Sequence, residues 1–448
     1  VTLFRIFPPG NRLLRCLGEF HNSEENTMSH NEKDLGTHAS HRRQVLKTGA
    51  VLAGAAALGA PALVSAQAEK IKIGHLTPMT GFLGALGEYA VQGIKMAADE
   101  INASGGIMGR QIDLLTEDSV NPQVASTKAA RMIERDGVAV LMGEINSASA
   151  LTISQVAARN KKLFMSIGAR SDALRGKDCN RYTFHVDIPV TVMVNAVGQS
   201  LVRDNMVRGK KVFSLTADYL FGHDLSRVAK RFFAANGGIQ VADELVATDV
   251  TDFSPYLLKI RQARPDFIAS NLAGNQVTNF VKQYSEFGLS FPVVGFNLNT
   301  ADAWAAGEGN LGGIWPTVWH HDLNTPGSKT FTANFTRRYG RIPENHAWIE
   351  YVSLKIMAQA MNEAKTLDSE KLIAYFETEA QFDLLKARKG YFRSWDHQLM
   401  QEAYPFTVKP KGQAKDKQDF LKFGDAVPAA NQPLDLLATT KAENACKM

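Results

Sequence analysis

The chain has 448 residues, 45% apolar and 21% charged, with 50 Lys+Arg against 45 Asp+Glu and a formal charge of +5. This globular, mildly basic composition has no basic stripe, which sets nucleic acid aside as a partner; at about 150 residues per domain the chain fills two or three domains. Three cysteines exclude a disulfide-dense scaffold and a multi-cysteine metal cluster, and a single apolar run of near-bilayer length excludes a multi-span membrane protein.

That run, Thr48 to Ala66, follows His41-Arg42-Arg43-Gln44-Val45-Leu46-Lys47. A basic patch, a weakly apolar Ala/Gly core and a small-residue end describe an export signal; an N-terminal anchor helix is the alternative. The paired arginines resemble a twin-arginine signal, with His41 where that pattern usually has Ser or Thr. Residues 1–27 read as an upstream extension ahead of Met28, 28–68 as the signal peptide, and cleavage is expected after Ala66 or Ala68. Export to an oxidising compartment leaves Cys179 and Cys446 as an even pair. A disulfide tying the C-terminal tail to the Asp178–Tyr182 loop is expected, with two free thiols as the alternative.

Strand and helix then alternate. The pattern predicts strands at Ile71–Leu76, Gln111–Thr116, Val138–Met142 and Leu163–Ile167, with helices at Glu88–Ala103, Ser126–Arg135 and Ala148–Arg159 between them. Arg181–Val186 reads as an extended crossover. The rhythm restarts with a helix at Val190–Asp204. Strands follow at Lys211–Thr216, Gln240–Ala247, Asp266–Leu272 and Pro292–Phe296, with helices at Gly222–Asn236, Ser254–Ala263 and Asn275–Phe287. Such a βα alternation builds parallel sheets covered by helices, and two successive runs imply two lobes.

After Trp319 the pattern changes to long helices at Ser328–Tyr339, Trp348–Ala364 and Ser369–Glu377, expected to return to the first lobe. Chain crossings are therefore expected near 186, 320 and 390. The expected division is lobe 1 at 69–187 plus 321–390, lobe 2 at 188–320 plus 391–425, and a surface tail at 426–448. From Pro410 the polar chain is expected to run extended on the surface.

Several segments carry a family resemblance. They are Gly81 to Gly87, the run Ile101-Asn102-Ala103-Ser104-Gly105-Gly106-Ile107-Met108-Gly109, Glu117-Asp118, Asn121-Pro122, Gly143 to Ser149, Phe221-Gly222 and Asp252-Phe253-Ser254-Pro255. In this order they resemble periplasmic solute-binding proteins of ABC importers, of the branched-chain amino acid (Leu/Ile/Val)-binding type, over about residues 70 to 410. The resemblance implies an α/β type I periplasmic binding protein fold: two Rossmann-like lobes, a three-strand hinge and a ligand cleft that closes on a solute. It implies a monomer that partners ABC permease subunits and a small carboxylate ligand (amino acid, aromatic acid or keto acid), with no enzymatic activity, cofactor, metal or nucleic acid. The rival reading is a ligand sensor of the same fold coupled to a signalling receptor.

Ser147-Ala148-Ser149 opens a helix after a strand, where free amides and hydroxyls suit a carboxylate, or where serine is an ordinary N-cap. Gly168 and Arg170 follow the next strand. Arg170 either clamps a carboxylate or pairs with Asp172 at the surface. Phe221 stands where the family often has a ligand-touching Tyr, or is a core aromatic. Asn297 stands about where amino-acid binders place a carboxylate for the ligand's ammonium, so its neutrality points to a solute without an α-amino group, although Asp302 is close by. Leu86 and Trp348, with Tyr89 and Trp319, are candidate walls or core residues. Gly307–Gly312 matches a dinucleotide motif but follows a helical segment, and His320-His321 do not share a helix face, so neither carries chemistry.

Overall fold

The computed structural model describes residues 69–308, 311–410 and 412–448; the signal segment, the upstream extension and Cys16 lie outside the described residues. Strands β1 (Ile71–Thr77), β2 (Ile112–Asp118), β3 (Val140–Gly143), β4 (Phe164–Ser166) and β5 (Thr183–His185) form one parallel sheet in the order β2-β1-β3-β4-β5. Strands β6 (Lys211–Ala217), β7 (Ile239–Val246), β8 (Phe267–Asn271) and β9 (Val293–Gly295) form a second parallel sheet, β7-β6-β8-β9. The strands β3 and β4 are buried throughout, which is why the sequence there is a near-continuous apolar run, broken only by Ser166, rather than an alternation.

Three helices link the first sheet: α1 (Gly84–Ala103), α2 (Pro122–Glu134) and α3 (Ser147–Arg159). Five belong to the second run: α4 (Val190–Arg203), α5 (Leu220–Ala235), α6 (Ser254–Ala263), α7 (Asn275–Glu286) and α8 (Thr300–Ala306). The helix α1 begins four residues before the expected Glu88, because Gly84 and Gly87 contribute no apolar side chain to the periodic pattern. A Cβ at Gly87 would lie 1.7 Å from the Pro78 carbonyl oxygen, so only glycine lets α1 sit this close to the end of β1. The helix stops at Ser104-Gly105-Gly106, with both glycines at positive φ (100° and 79°).

The late helices α9 (Pro326–Tyr339), α10 (Asn345–Ala364) and α11 (Ser369–Phe376) return to the first sheet. Leu86, Ile94, Ile101, Ile349, Ile356 and Met357 share one core there, and each such buried side chain contributes about 1.5–3 kcal/mol relative to exposure. The Ser369 hydroxyl accepts from Leu163 N (3.0 Å), fixing α11 beside β4.

Two expectations need correction. The hairpin β11 (Tyr391–Phe392) and β12 (Leu399–Met400) stays with the first lobe, beyond the expected crossing near 390. His185 N donates to His397 O (2.9 Å), and Phe392 packs against Phe184, Phe376 and Phe382, so leaving at 390 would strip this aromatic cluster. The chain re-enters the second lobe afterwards, where β13 (Tyr404–Val408) lies between β10 (Trp315–Thr317) and β14 (Leu421–Phe423), antiparallel to both. Nor is the chain after Pro410 simply extended on the surface. Phe420 and Leu421 are buried in the second lobe's core and Leu437 in the first cluster, because these isolated apolar residues in a polar stretch find uncovered core edges. Among the described residues no helix is long and apolar enough to cross a membrane.

Candidate functional site

In open parallel sheets, chains leaving the carboxyl ends of the strands create a crevice. Here the two sheets turn those ends toward one shared, nearly filled cavity. The first lobe contributes Leu83 and Leu86 from the β1–α1 segment, Ile145 after β3, Gly168 and Arg170 after β4, and His346 near the start of α10. The second lobe contributes Tyr219 and Phe221 after β6, Ala273 and Gly274 after β8, and Asn297 and Asn299 after β9.

The lobes touch around this cavity. Phe82 meets Tyr219 edge-on at 5.4 Å between ring centroids. A Cβ at Gly274 would stand 2.3 Å from Phe82 O, and Gly274 has φ +52°, so both contact and backbone demand glycine. Ser171 Oγ donates to Asp224 Oδ2 (2.6 Å), tying the segment after β4 to α5. This is a shut arrangement of the jaws.

Arg170 is the central link. Its Nε donates to Asp187 Oδ2 (2.7 Å), and its Nη1 donates to Asn297 Oδ1 (2.6 Å) and Asn299 Oδ1 (3.2 Å) in the opposite lobe. The amide of Asn345, oriented by its neighbours with nitrogen toward Glu344 Oε2 (2.7 Å), accepts from Arg170 Nη2 (3.2 Å). Both Arg170 and Asp187 are buried. The guanidinium thus carries its counter-charge within its own lobe and reaches across the cleft with two bonds to neutral carbonyls. It does not pair with Asp172, whose carboxylate instead holds Thr191.

The turn Ser147-Ala148-Ser149 is not brought to the cavity wall. Asn146 caps α3, its Oδ1 accepting from Ala148 N (2.9 Å) and Ser149 N (3.2 Å), and the Ser147 hydroxyl accepts from Ser171 N (3.2 Å). Two of the amides assigned to a ligand carboxylate, those of Ala148 and Ser149, are therefore already bonded. Asn is among the strongest N-caps, so its position immediately before the helix was the available signal. Trp348 is also away from the cavity. It is fully buried, donates to Leu384 O (2.9 Å) and stacks on Trp319 at 6.0 Å. Leu86, Gly168, Arg170, Phe221 and Asn297 do reach the wall.

Sequence reasoning missed His346. Its backbone N–H donates to Glu344 Oε1 (2.6 Å) as Glu344 caps α10, and its Nδ1 lies 3.3 Å from Glu344 Oε2. The ring is buried, and among the described residues Nε2 has no partner. Asp302 sits behind Asn299, accepting from its Nδ2 (3.0 Å), with burial pushing its carboxyl up to about 6.

Beneath Ile145, Glu144 is fully buried and accepts from Asn146 N (2.7 Å), and burial pushes its carboxyl from the ordinary 4.5 to about 8. Between those values the folded protein holds a proton that the unfolded chain releases, so this group makes stability fall as pH rises through the window. Glu144→Gln is expected to remove that slope. Urea unfolding at pH 5 and pH 8 should show the variant gaining on the wild type at the higher pH; equal slopes would count against a protonated Glu144.

The family profile of periplasmic binding proteins matches residues 70–414. The "Leu/Ile/Val-binding protein homolog 8" of Brucella suis biovar 1 is 26% identical over 337 residues, covering 71% of this chain and 82% of that protein. A crystal structure of a periplasmic binding protein from Burkholderia mallei is 28% identical, with a TM-score of 0.78, covering 85% of this chain and 99% of that one. A solute-binding protein of an ABC transporter from Rhodopseudomonas palustris BisB5, solved with 3,4-dihydroxybenzoic acid, has a TM-score of 0.71 at 22% identity, covering 80% and 96%.

Proposed function

Because the chain belongs to the periplasmic binding protein family, we propose that it is the extracytoplasmic binding component of an ABC importer and that it captures a small carboxylate with an apolar body by closing its two lobes. The observation that carries this reading is the makeup of the cavity wall. It presents Leu83, Leu86, Ile145, Tyr219 and Phe221 to an apolar body, and Arg170, Asn297, Asn299 and His346 to a polar end, with no Asp or Glu among the lining residues.

An α-ammonium enclosed there would meet no carboxylate in the wall and would be costly to bury. The relative named for Leu/Ile/Val binding and the neighbour holding dihydroxybenzoic acid bracket the alternatives. The wall favours aromatic or keto acids over zwitterionic amino acids. Residues 28–68 supply the export signal in this reading, and permease subunits receive the closed, loaded form.

A thermal-shift panel tests it with benzoate, 4-hydroxybenzoate, 4-methyl-2-oxopentanoate, leucine and isoleucine. A ligand at 100 times its Kd stabilises by about 2.7 kcal/mol, a rise of several degrees. The organic acids are expected to raise Tm and the amino acids to leave it unchanged. A panel in which only leucine and isoleucine act would overturn the assignment.

A further inference from the structure

The polar end of the cavity holds two groups able to meet an acid, and they are not equivalent. Arg170 is already matched by Asp187 and bonded to Asn297, Asn299 and Asn345. His346 is held on one side only: Glu344 takes its backbone N–H and stands against Nδ1, while Nε2 is buried without a partner among the described residues. The Cδ2 edge of the ring, to which Nε2 is bonded, lies toward Gly168, another wall residue; a Cβ added there would meet Cδ2 at 3.4 Å.

We propose that His346 takes up a proton from solvent as the acid binds and donates its Nε2–H to the carboxylate, so that capture of an anionic solute is coupled to protonation. This deepens the acid-binding reading above and rests on it.

A carboxylate beside Nδ1 fixes a proton on that nitrogen, so the neutral ring offers only a lone pair at Nε2. A solute carboxylate is acceptor-only and cannot use it. With a second proton on the ring, Nε2–H makes a charge-assisted bond to the acid, and Glu344 balances the new charge from behind. The other titratable groups around the ring act in known directions. Asp302, reaching in from α8, favours the cation, Arg170 opposes it, Glu350 lies one turn further along α10, and Tyr219 stands across the cavity. Binding one anion and one proton together leaves the site's net charge unchanged, which suits an enclosed cavity.

The test is isothermal titration of the full mature protein with benzoate from pH 6 to pH 8.5, in buffers of different ionisation enthalpy. Expected are uptake rising toward one proton per benzoate at the alkaline end and a Kd that weakens by up to about tenfold per pH unit there. In His346→Gln, which keeps an N–H donor but cannot titrate, uptake should vanish, the pH dependence should flatten and binding at pH 6 should weaken. Wild-type binding with no proton exchange over the whole range would overturn the proposal while leaving acid capture intact, and needs no variant. Persisting uptake in His346→Gln would equally remove His346 as the carrier. If no carboxylate in the panel binds the wild type at any pH, the acid-binding reading itself falls.

Discussion

Arg170→Met is expected to destabilise the folded protein by about 3–5 kcal/mol, because it leaves the buried Asp187 carboxylate without its cation. Asp187 follows β5 and keeps one further bond to its carboxylate, from Ile188 N (2.8 Å), which does not replace a guanidinium. Adding Asp187→Asn should restore most of the loss, since the damage comes from an unpaired charge rather than from lost volume. Urea unfolding of the two variants measures both terms. A loss below about 1 kcal/mol for the single change would show that the pair does not hold this segment.

The same arginine separates stability from closure. Its partner Asp187 lies in its own lobe, whereas Asn297 and Asn299 lie in the other. Opening the jaws would exchange the two asparagine carbonyls for water and leave the ion pair intact. Closure at this point rests on two bonds from the charged guanidinium to neutral carbonyls, each adding about 1.5–3 kcal/mol net, and water can replace both when the jaws open.

The parallel sheets were legible because strands covered on both faces are predominantly apolar, as Val138 to Met142 is throughout and Leu163 to Ile167 is apart from Ser166. The short strands β10 and β14 were not, because three residues carry no period of their own and exist only through pairing with β13. In the cavity, Gly168, Arg170, Phe221 and Asn297 could be found because residues just after a parallel strand face the crevice, a rule that needs no knowledge of tertiary packing. His346 could not. It reaches the wall because α10, far along the chain, packs so closely on α1 that a Cβ at Gly93 would stand 2.0 Å from Ala347 O. Ser147 and Ser149 lie off this wall for a different reason: a free helix start and a capped one share the same serines, and Asn146 takes the amides of Ala148 and Ser149.

Cys446→Ser is expected to lower stability by about 3–5 kcal/mol, the other large effect. Cys179 and Cys446 are bonded, with Cα atoms 5.6 Å apart and a sequence separation of 267 in a chain of 448, so the cross-link constrains well over half of the unfolded chain. It also fixes a segment that touches both lobes on the way. Asn195 Nδ2 on α4 donates to Leu437 O (2.8 Å), and Arg393 Nη1 in the β11–β12 hairpin donates to Thr439 O (2.9 Å). Without the bond, the tail keeps these contacts, the burial of Leu437 and the Arg388 bonds to Pro428 O and Gln432 O, which hold its earlier part rather than its last residues against chain entropy. Thermal melts with and without reductant read the effect: the wild type should fall to the Tm of Cys446→Ser on reduction, and Cys179→Ser/Cys446→Ser should match the single variant and ignore reductant. A wild-type Tm indifferent to complete reduction, verified by thiol titration, would mean that the tail is held by its packing and that the cross-link adds nothing measurable.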